Sequence, residues 1–252
     1  GTNTDISAQQ EAREALARSN AELRRANEDL EQFAFSASHD LQEPLRMVSI
    51  YSQMLNTRYR DQLDVTARQY LGFATQGARR MEALLEDLLA YIQVVTVKNE
   101  DVNPVRASDV LQAALSNLRS AIAEADADVQ AVPLPAVLVQ EVHLLQLFQN
   151  LIGNALKYRS DVPPQIQVSA EPEKNFWRLC VRDNGIGIDP EYREQIFGVF
   201  KRLHNNSRYQ GTGIGLAICQ KIVKRYGGRI WVESEGEGHG SAFYFTLPRG
   251  DL

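Results

Sequence analysis

Two series of mostly apolar positions, alternating at spacings of four and three, run through the first 95 residues. This heptad spacing is typical of long helices that pack along one seam. A polar stretch at 56–64 separates the series, so we predict two long helices folded back as a hairpin. The first series is Ala12, Leu16, Ser19, Leu23, Ala26, Leu30, Phe33 and Ala37, and the second is Ala67, Leu71, Ala74, Ala78, Met81, Leu85, Leu88, Ile92 and Val95.

A hairpin of two helices buries only part of its apolar surface. Pairing with a second copy as a four-helix bundle would bury the rest, so we expect a homodimer. A monomeric hairpin packed on the remainder of the chain is the alternative.

The second half follows a mixed pattern. Helical spacing over 109–125 and 141–158 predicts helices, and alternation over 177–181 and 243–247 predicts half-buried strands. Helices and strands without regular βα alternation favour a two-layer α/β sandwich.

The distribution of glycine and proline supports this division. Eight of nine prolines and thirteen of sixteen glycines follow residue 100, and both residues are unfavourable inside helices. The predicted fold is therefore α+β, with a helical hairpin domain at 1–97 and an α/β domain at 98–252. The join lies near 97–104.

Charge and cysteine content exclude several classes of protein. The chain has 27 basic and 32 acidic residues, a net charge of −5, which argues against a nucleic-acid binder. Two cysteines, Cys180 and Cys219, without a CxxC pattern fit a reducing compartment. Neither a signal peptide nor an apolar run of about 18 residues is present, so we expect no membrane segment in this chain and a cytoplasmic location.

His39 stands out on the first helix. At about 100° per residue it lies about 200° around the helix from the seam residues Ala37 and Leu41, so it is predicted to face outward. Asp40 is adjacent, and Glu43 lies one turn on along the same face. An imidazole held in one tautomer by a carboxylate is a good nucleophile. A solvated surface histidine is the alternative that these residues alone leave open.

Polar residues share one face of the predicted helix at 141–158. Asn150 and Asn154 lie one turn apart, and Lys157 and Tyr158 continue the face. Amide oxygens are suitable ligands for Mg²⁺, a lysine provides a point charge for phosphate, and a tyrosine ring can stack on a base. The alternative without a ligand site is a surface helix with two solvated asparagines.

Two glycine motifs follow. Asp183 and the glycines Gly185 and Gly187 come directly after a predicted strand; the glycines permit close approach of backbone to a ligand, and a carboxylate can accept from the exocyclic amine of adenine. The motif 211–216 precedes a helical run, where free N–H groups bind phosphate. Seven basic and no acidic residues occur in 195–232, which suggests an anionic ligand. The polar stretch 201–210 is a candidate lid.

Six segments form an ordered set of motifs: Ser38–Arg46, Asn150–Tyr158, Asp183–Gly187, Phe197–His204, Gly211–Leu216 and Gly238–Ser241. Together they resemble the H, N, first glycine, F and second glycine boxes and the closing turn of the catalytic core of sensor histidine kinases, with the H box in the form seen in phytochrome-like kinases. The resemblance covers nearly the whole chain. No GxxxxGK[ST] P-loop and no HRD or DFG motif is present.

This resemblance implies a dimerisation and phosphoacceptor domain followed by a Bergerat-type ATP-binding domain. It implies autophosphorylation of His39, with Asp40 as acid–base partner, and transfer of the phosphoryl group to an aspartate of a response-regulator receiver domain. The catalytic set is then His39, Asp40 and Glu43. Many relatives carry Thr or Asn where Glu43 stands, a position linked to phosphatase activity, so that activity is not implied here. A sensor domain is expected upstream, outside this chain.

The resemblance also assigns the cofactors, ATP and Mg²⁺. It implies that Asn154 holds Mg²⁺ with Asn150 beside it, that Lys157 contacts phosphate and Tyr158 the base, and that Asp183 binds the adenine amine. The rest of the predicted ATP-binding set is Gly185, Gly187, Lys201, Arg202, Gly211, Thr212, Gly213, Gly215 and Leu216.

Two other functions remain open from the sequence. One is an ATP-binding dimeric scaffold without transfer activity; the other is an ATPase of the same fold, of the chaperone or topoisomerase type. Phosphorylation of His39 in cis or in trans is also open, because it depends on the hand of the loop at 56–64.

Overall fold

The computed structural model describes residues 2–96, 102–201 and 211–250. By its contacts the chain separates into two compact units, Gly1–Ile92 and Gln93–Leu252. The predicted boundary at 97/98 lies outside the described residues and stays a prediction. No helix of the described parts combines the length and apolar character needed to cross a membrane.

The first unit is the predicted helical hairpin. Helix α1 spans Thr2–Arg58 and α2 spans Val65–Thr96. Asp64 ends the polar connection and accepts a hydrogen bond from the Ala67 N–H at 2.6 Å, so it caps α2 in the manner expected of a short acidic side chain. The predicted turn over 56–64 is therefore confirmed, although α1 continues three residues into it.

The packing of the hairpin leaves many apolar side chains uncovered. Ala78 and Ile92 from the second predicted seam are buried, at 1% and 6% exposure, whereas Met81 from the same seam is 46% exposed. Leu41 on α1 is 52% exposed. The other large apolar side chains exposed on the hairpin include Tyr51, Met54, Tyr70 and Phe73.

The second unit is built around a five-stranded sheet. The strand order is β2-β4-β5-β7-β6, with β2 parallel to β4 and the other pairs antiparallel. A separate two-stranded sheet pairs β1 with β3. The strands are β1 Pro104–Arg106, β2 Asp128–Ala131, β3 Ala136–Leu138, β4 Gln165–Glu173, β5 Phe176–Asp183, β6 Ile230–Glu233 and β7 Ser241–Pro248.

Alternation along the strands places one face of this sheet against helices. Leu179 and Val181 of β5 and Phe245 of β7 are buried at 1% exposure or less. Phe245 meets Phe148 of the central helix edge to face, with ring centroids 6.3 Å apart. The predicted α/β two-layer arrangement is confirmed.

In the described part of this unit, four α-helices accompany the sheet: α3 Ala107–Asn117, α4 Arg119–Ala125, α5 Glu141–Lys157 and α6 Gly215–Arg225. The predicted helix at 109–125 is therefore two helices, which is a correction. Leu118, at φ −93° and ψ 6°, leaves the helical path, directly after Ser116 and Asn117, which are weak helix formers.

Candidate functional site

A pocket in the second unit lies between the end of α5, the end of β5 and the start of α6. Its lining includes six of the residues singled out in the sequence, and it adds a wall of apolar side chains. The lining residues are Asn154, Tyr158, Asp183, Ile186, Gly187, Ile188, Ile196, Lys201, Leu216, Ser241 and Phe243.

Asp183 is the acidic group of this pocket. It ends β5, and its Oδ1 accepts hydrogen bonds from the N–H groups of Gly185 at 2.8 Å and Ser241 at 3.2 Å. Burial raises the pKa of Asp183 to about 6, and the two hydrogen bonds and the charge of Arg182 act in the opposite direction. At neutral pH the carboxylate is ionised but poorly solvated, and a ligand with an N–H donor would relieve that cost.

The loop after Asp183 requires its glycines. A Cβ on Gly185 would lie 2.4 Å from the carbonyl oxygen of Tyr158, which already accepts a hydrogen bond from the Ile186 N–H at 2.9 Å. Gly187 has φ +77°, and a Cβ there would lie 2.0 Å from the carbonyl oxygen of Gly236. The loop therefore packs against the backbone of Tyr158 on one side and of Gly236 on the other, an approach that leaves no room for a side chain.

The second glycine motif packs against α5. A Cβ on Gly211 would lie 2.3 Å from Lys157 Nζ, and one on Gly215 would lie 2.8 Å from Asn150 Oδ1. Gly213, at φ +78°, makes the turn before α6 begins at Gly215. The start of α6 and the polar face of α5 are therefore directly adjacent, as a shared phosphate-binding site requires.

Lys157 and Tyr158 interact with each other. Lys157 Nζ donates to the Tyr158 hydroxyl at 3.0 Å and lies 4.5 Å from the centroid of its ring. Asn150 hydrogen-bonds with Cys219, whose complete burial raises the pKa of the thiol to about 12. Cys219 is therefore a protonated packing residue, and the half-buried Asn150 is not among the residues that line the pocket.

His39 in the first unit is accessible, as its spacing predicts. Its side chain is 77% exposed, that of Asp40 is 79% exposed, and His39 Nδ1 lies 3.5 Å from Asp40 Oδ1. A carboxylate at Nδ1 favours the tautomer with its proton there, which leaves the lone pair of Nε2 free for attack. Glu43, one turn on, is also exposed.

The other predicted residues are placed as follows. The Oγ1 of Thr212 lies 3.4 Å from the Ile214 N–H, which donates to it. Arg202 and most of the candidate lid, 202–210, lie outside the described residues. Within the described ranges, no three histidine, cysteine or carboxylate side chains come together as a metal centre.

Sequence reasoning missed the apolar and backbone parts of the pocket. Ile186, Ile188 and Ile196 line it, as do Ser241 and Phe243. The signal available for Phe243 was the strand alternation, and for Ser241 the closing glycine turn; neither indicates on its own that the residue faces a ligand.

Comparison with known proteins gives two matched families. Residues 29–94 match the His Kinase A (phospho-acceptor) domain, and residues 139–251 match the family described as histidine kinase-, DNA gyrase B- and HSP90-like ATPase.

Curated proteins and solved structures similar to this chain agree with these two family matches. The chain is 49% identical over 229 residues to cyanobacterial phytochrome A of Nostoc sp., covering 91% of this chain but 30% of that protein. Full-length ShkA in complex with AMPPNP is 25% identical, with a TM-score of 0.67 over 86% of this chain and 45% of that one. The histidine kinase ThkA in complex with the response regulator protein TrrA shares the fold at 20% identity, with a TM-score of 0.59 over 89% of this chain and 64% of that one.

Proposed function

Since the chain belongs to the histidine kinase family, we propose that it transfers the γ-phosphoryl group of ATP to His39 and then to an aspartate of a response-regulator receiver domain. The observation that carries this proposal is the pairing of two sites in one chain. An accessible histidine beside a carboxylate lies in the matched phosphoacceptor domain, and a pocket with a buried carboxylate and a lysine lies in the matched ATPase domain.

The proposed reaction needs little from the protein beyond position and charge. An imidazole nitrogen of His39 attacks the γ-phosphorus, the bond from phosphorus to the β–γ bridging oxygen breaks, and ADP leaves. Asp40, 3.5 Å from Nδ1, accepts the proton that the imidazole loses. In the second step an aspartate oxygen of the receiver attacks the phosphorus, the P–N bond breaks, and the imidazole recovers its proton from Asp40.

The ATP-binding role is supported by the donors and acceptors of the pocket. We assign the adenine amine to Asp183, the base to Tyr158 and the phosphates to Lys157 and the N–H groups at the start of α6. Lys157 lies against Gly211, so a small turn from the Tyr158 hydroxyl would bring its ammonium to a phosphate at that backbone. The similar solved protein ShkA was determined with AMPPNP.

We assign Mg²⁺ to the amide oxygen of Asn154, with Asn150 beside it. The donor set fits this ion: Asn154 lines the pocket, and Mg²⁺ takes few protein oxygens because it keeps waters and shares phosphate oxygens. When bound, the ion neutralises charge on the phosphates. The backbone carbonyl of Asn154, near the end of α5, accepts a hydrogen bond from the Tyr158 N–H at 2.8 Å.

The direct test is incubation with γ-labelled ATP and Mg²⁺. We expect label on the protein that is lost in acid and kept in base, the stability expected of a phosphohistidine. Rapid release of free phosphate without labelled protein would favour an ATPase of the chaperone or topoisomerase type. Nucleotide binding without either would favour a scaffold. Because the reaction consumes ATP, we place it in the cytoplasm.

We also propose that the active form is a homodimer joined through the hairpin. Phe73 and Tyr70 of α2 are 64% and 67% exposed in the single chain, and burial of each such ring is worth about 1.5–3 kcal/mol. Two hairpins combined into a four-helix bundle would cover these side chains.

Sedimentation tests this directly. The mass measured by sedimentation should be twice the 28.3 kDa of one copy. Phe73→Glu should shift the equilibrium toward the monomer, because burial of an unpaired charge is costly. A wild-type chain that stays monomeric at micromolar concentration would contradict the dimer.

The pH dependence of ATP binding tests the role of Asp183. A carboxylate accepts from the adenine amine, so ATP binds the ionised form. Because the pKa of Asp183 is raised to about 6, ATP affinity should be constant above pH 7 and should fall about tenfold per pH unit below 6. The measurement is the ATP dissociation constant from pH 5 to 8.

The matched control for this titration is Asp183→Asn, because the amide side chain does not titrate between pH 5 and 8. It should bind ATP weakly and with little pH dependence. The nucleotide's own phosphate titration is the same in both proteins, so an equal fall in both would assign the effect to ATP and remove Asp183 from adenine binding.

A further inference from the structure

We propose that Ser234 is a positioning residue for nucleotide selection, because its hydroxyl holds together the two loops that form the adenine end of the pocket. The first loop is 183–188 and the second is 234–241. This inference rests on the proposed binding of ATP. Ser234 is not part of the sequence motifs.

The hydroxyl of Ser234 is buried, and all of its hydrogen-bonding sites have partners. The residue is 8% exposed, and its Oγ donates to the Gly240 carbonyl at 2.7 Å. The same oxygen accepts from the N–H of Ile188 at 3.0 Å and from the N–H of Gly236 at 3.4 Å. A hydroxyl has one donor and two acceptor sites, so each is occupied.

These bonds connect the two loops at the point where they reach the pocket. Ile188 ends the first loop and lines the pocket, and Gly240 directly precedes Ser241, whose N–H donates to Asp183 Oδ1. Backbone bonds add to this link: Gly240 N–H donates to the Gly185 carbonyl at 3.1 Å. The position of Asp183 is therefore set partly through Ser234.

Ser234 is itself anchored from a third segment. The guanidinium of Arg193 donates to the Ser234 carbonyl oxygen. Arg193 lies between two short 3₁₀ turns, Pro190–Tyr192 and Gln195–Phe197, and the second turn contributes Ile196 to the pocket. Three parts of the pocket wall thus meet at one serine.

Removal of the hydroxyl would leave buried backbone groups without partners. The N–H of Ile188 and the carbonyl of Gly240 would each lose the bond to Oγ, and unsatisfied buried groups are costly. The loops would relax, and the Ser241 N–H would no longer hold the Asp183 carboxylate in one orientation. Selection of the base would suffer more than binding of the phosphates, which takes place at the other glycine motif.

The test is Ser234→Ala, with dissociation constants for ATP and GTP and steady-state labelling of His39. We expect ATP to bind about tenfold more weakly, which corresponds to about 1.4 kcal/mol. The preference for ATP over GTP should fall by a similar factor. The KM for ATP should rise while kcat stays close to the wild-type value.

A matched control is Thr246→Val. Thr246 is 4% exposed, and its hydroxyl accepts from the Arg229 N–H at 2.9 Å, toward the other end of β7. This variant loses a comparable buried bond, so it should lower the melting temperature while it keeps the ratio of ATP to GTP affinity.

The outcomes separate the two proposals. Equal weakening of ATP and GTP in Ser234→Ala, or no change in either, would overturn the role of Ser234 alone. A wild-type chain that binds no ATP would overturn the proposed function together with it. If Ser234→Ala does not fold, Ser234→Cys keeps the volume with a weaker hydrogen-bonding group and should show an intermediate loss of preference; an unchanged preference would refute the role.

Discussion

Replacement of His39 by glutamine is expected to abolish transfer of label from γ-labelled ATP to the protein. The amide of glutamine has a similar size but no nucleophilic nitrogen, so no P–N bond can form. The His39 side chain is 77% exposed, so the variant should fold as the wild type does. The measurement is acid-labile label per chain, alongside the dissociation constant for ATP, which should not change.

Arg58→Gln is the control for this variant. Arg58 is an exposed residue at the end of α1, in the matched phosphoacceptor domain but outside the set of His39, Asp40 and Glu43, and its replacement should leave the labelling of His39 intact. Full labelling of His39→Gln would place the phosphoryl group on another residue and would refute the proposed reaction. Loss of ATP binding in His39→Gln would show instead that the substitution disturbs the nucleotide site.

The hairpin could be predicted from the sequence because its signal is local and repeated. Every three or four residues an apolar side chain returns to the same face, and Asp64 marks the start of α2 with its own cap. The exposure of His39 follows from the same periodicity. The break at Leu118 was missed because local propensity is a weak signal beside an apolar pattern that continues on both sides of it.

The sequence predicted the motifs of the site one by one, but it could not show that they lie next to each other in the fold. Gly211 lies against Lys157 and Gly215 against Asn150, over separations along the chain that no periodicity spans. Ser234 was missed for a related reason. A serine in a polar, glycine-rich turn has an ordinary sequence signature, and only the folded loops show that its hydroxyl joins them.

Substitution of Gly187 by alanine is the second change with a large expected effect. The new Cβ would lie 2.0 Å from the Gly236 carbonyl oxygen, at a backbone φ of +77°. Overpacking of this kind costs about 1–3 kcal/mol, and the left-handed conformation costs a further 1–2 kcal/mol or so for a residue with a side chain. Both loops around Asp183 must move. Each 1.4 kcal/mol by which this movement destabilises the complex with ATP weakens ATP binding about tenfold.

Gly153→Ala is the control that separates pocket geometry from loss of a glycine. Gly153 lies within α5 beside Asn154, and nothing lies within 4 Å of a Cβ added there, so alanine should stabilise the helix by up to about 1 kcal/mol. We therefore expect a higher melting temperature and normal ATP affinity for Gly153→Ala, against a lower melting temperature and strongly weakened ATP binding for Gly187→Ala. Normal ATP affinity in Gly187→Ala would mean that the loop tolerates a shift at Gly236, and that the wall formed by the two loops does not determine how the nucleotide is held.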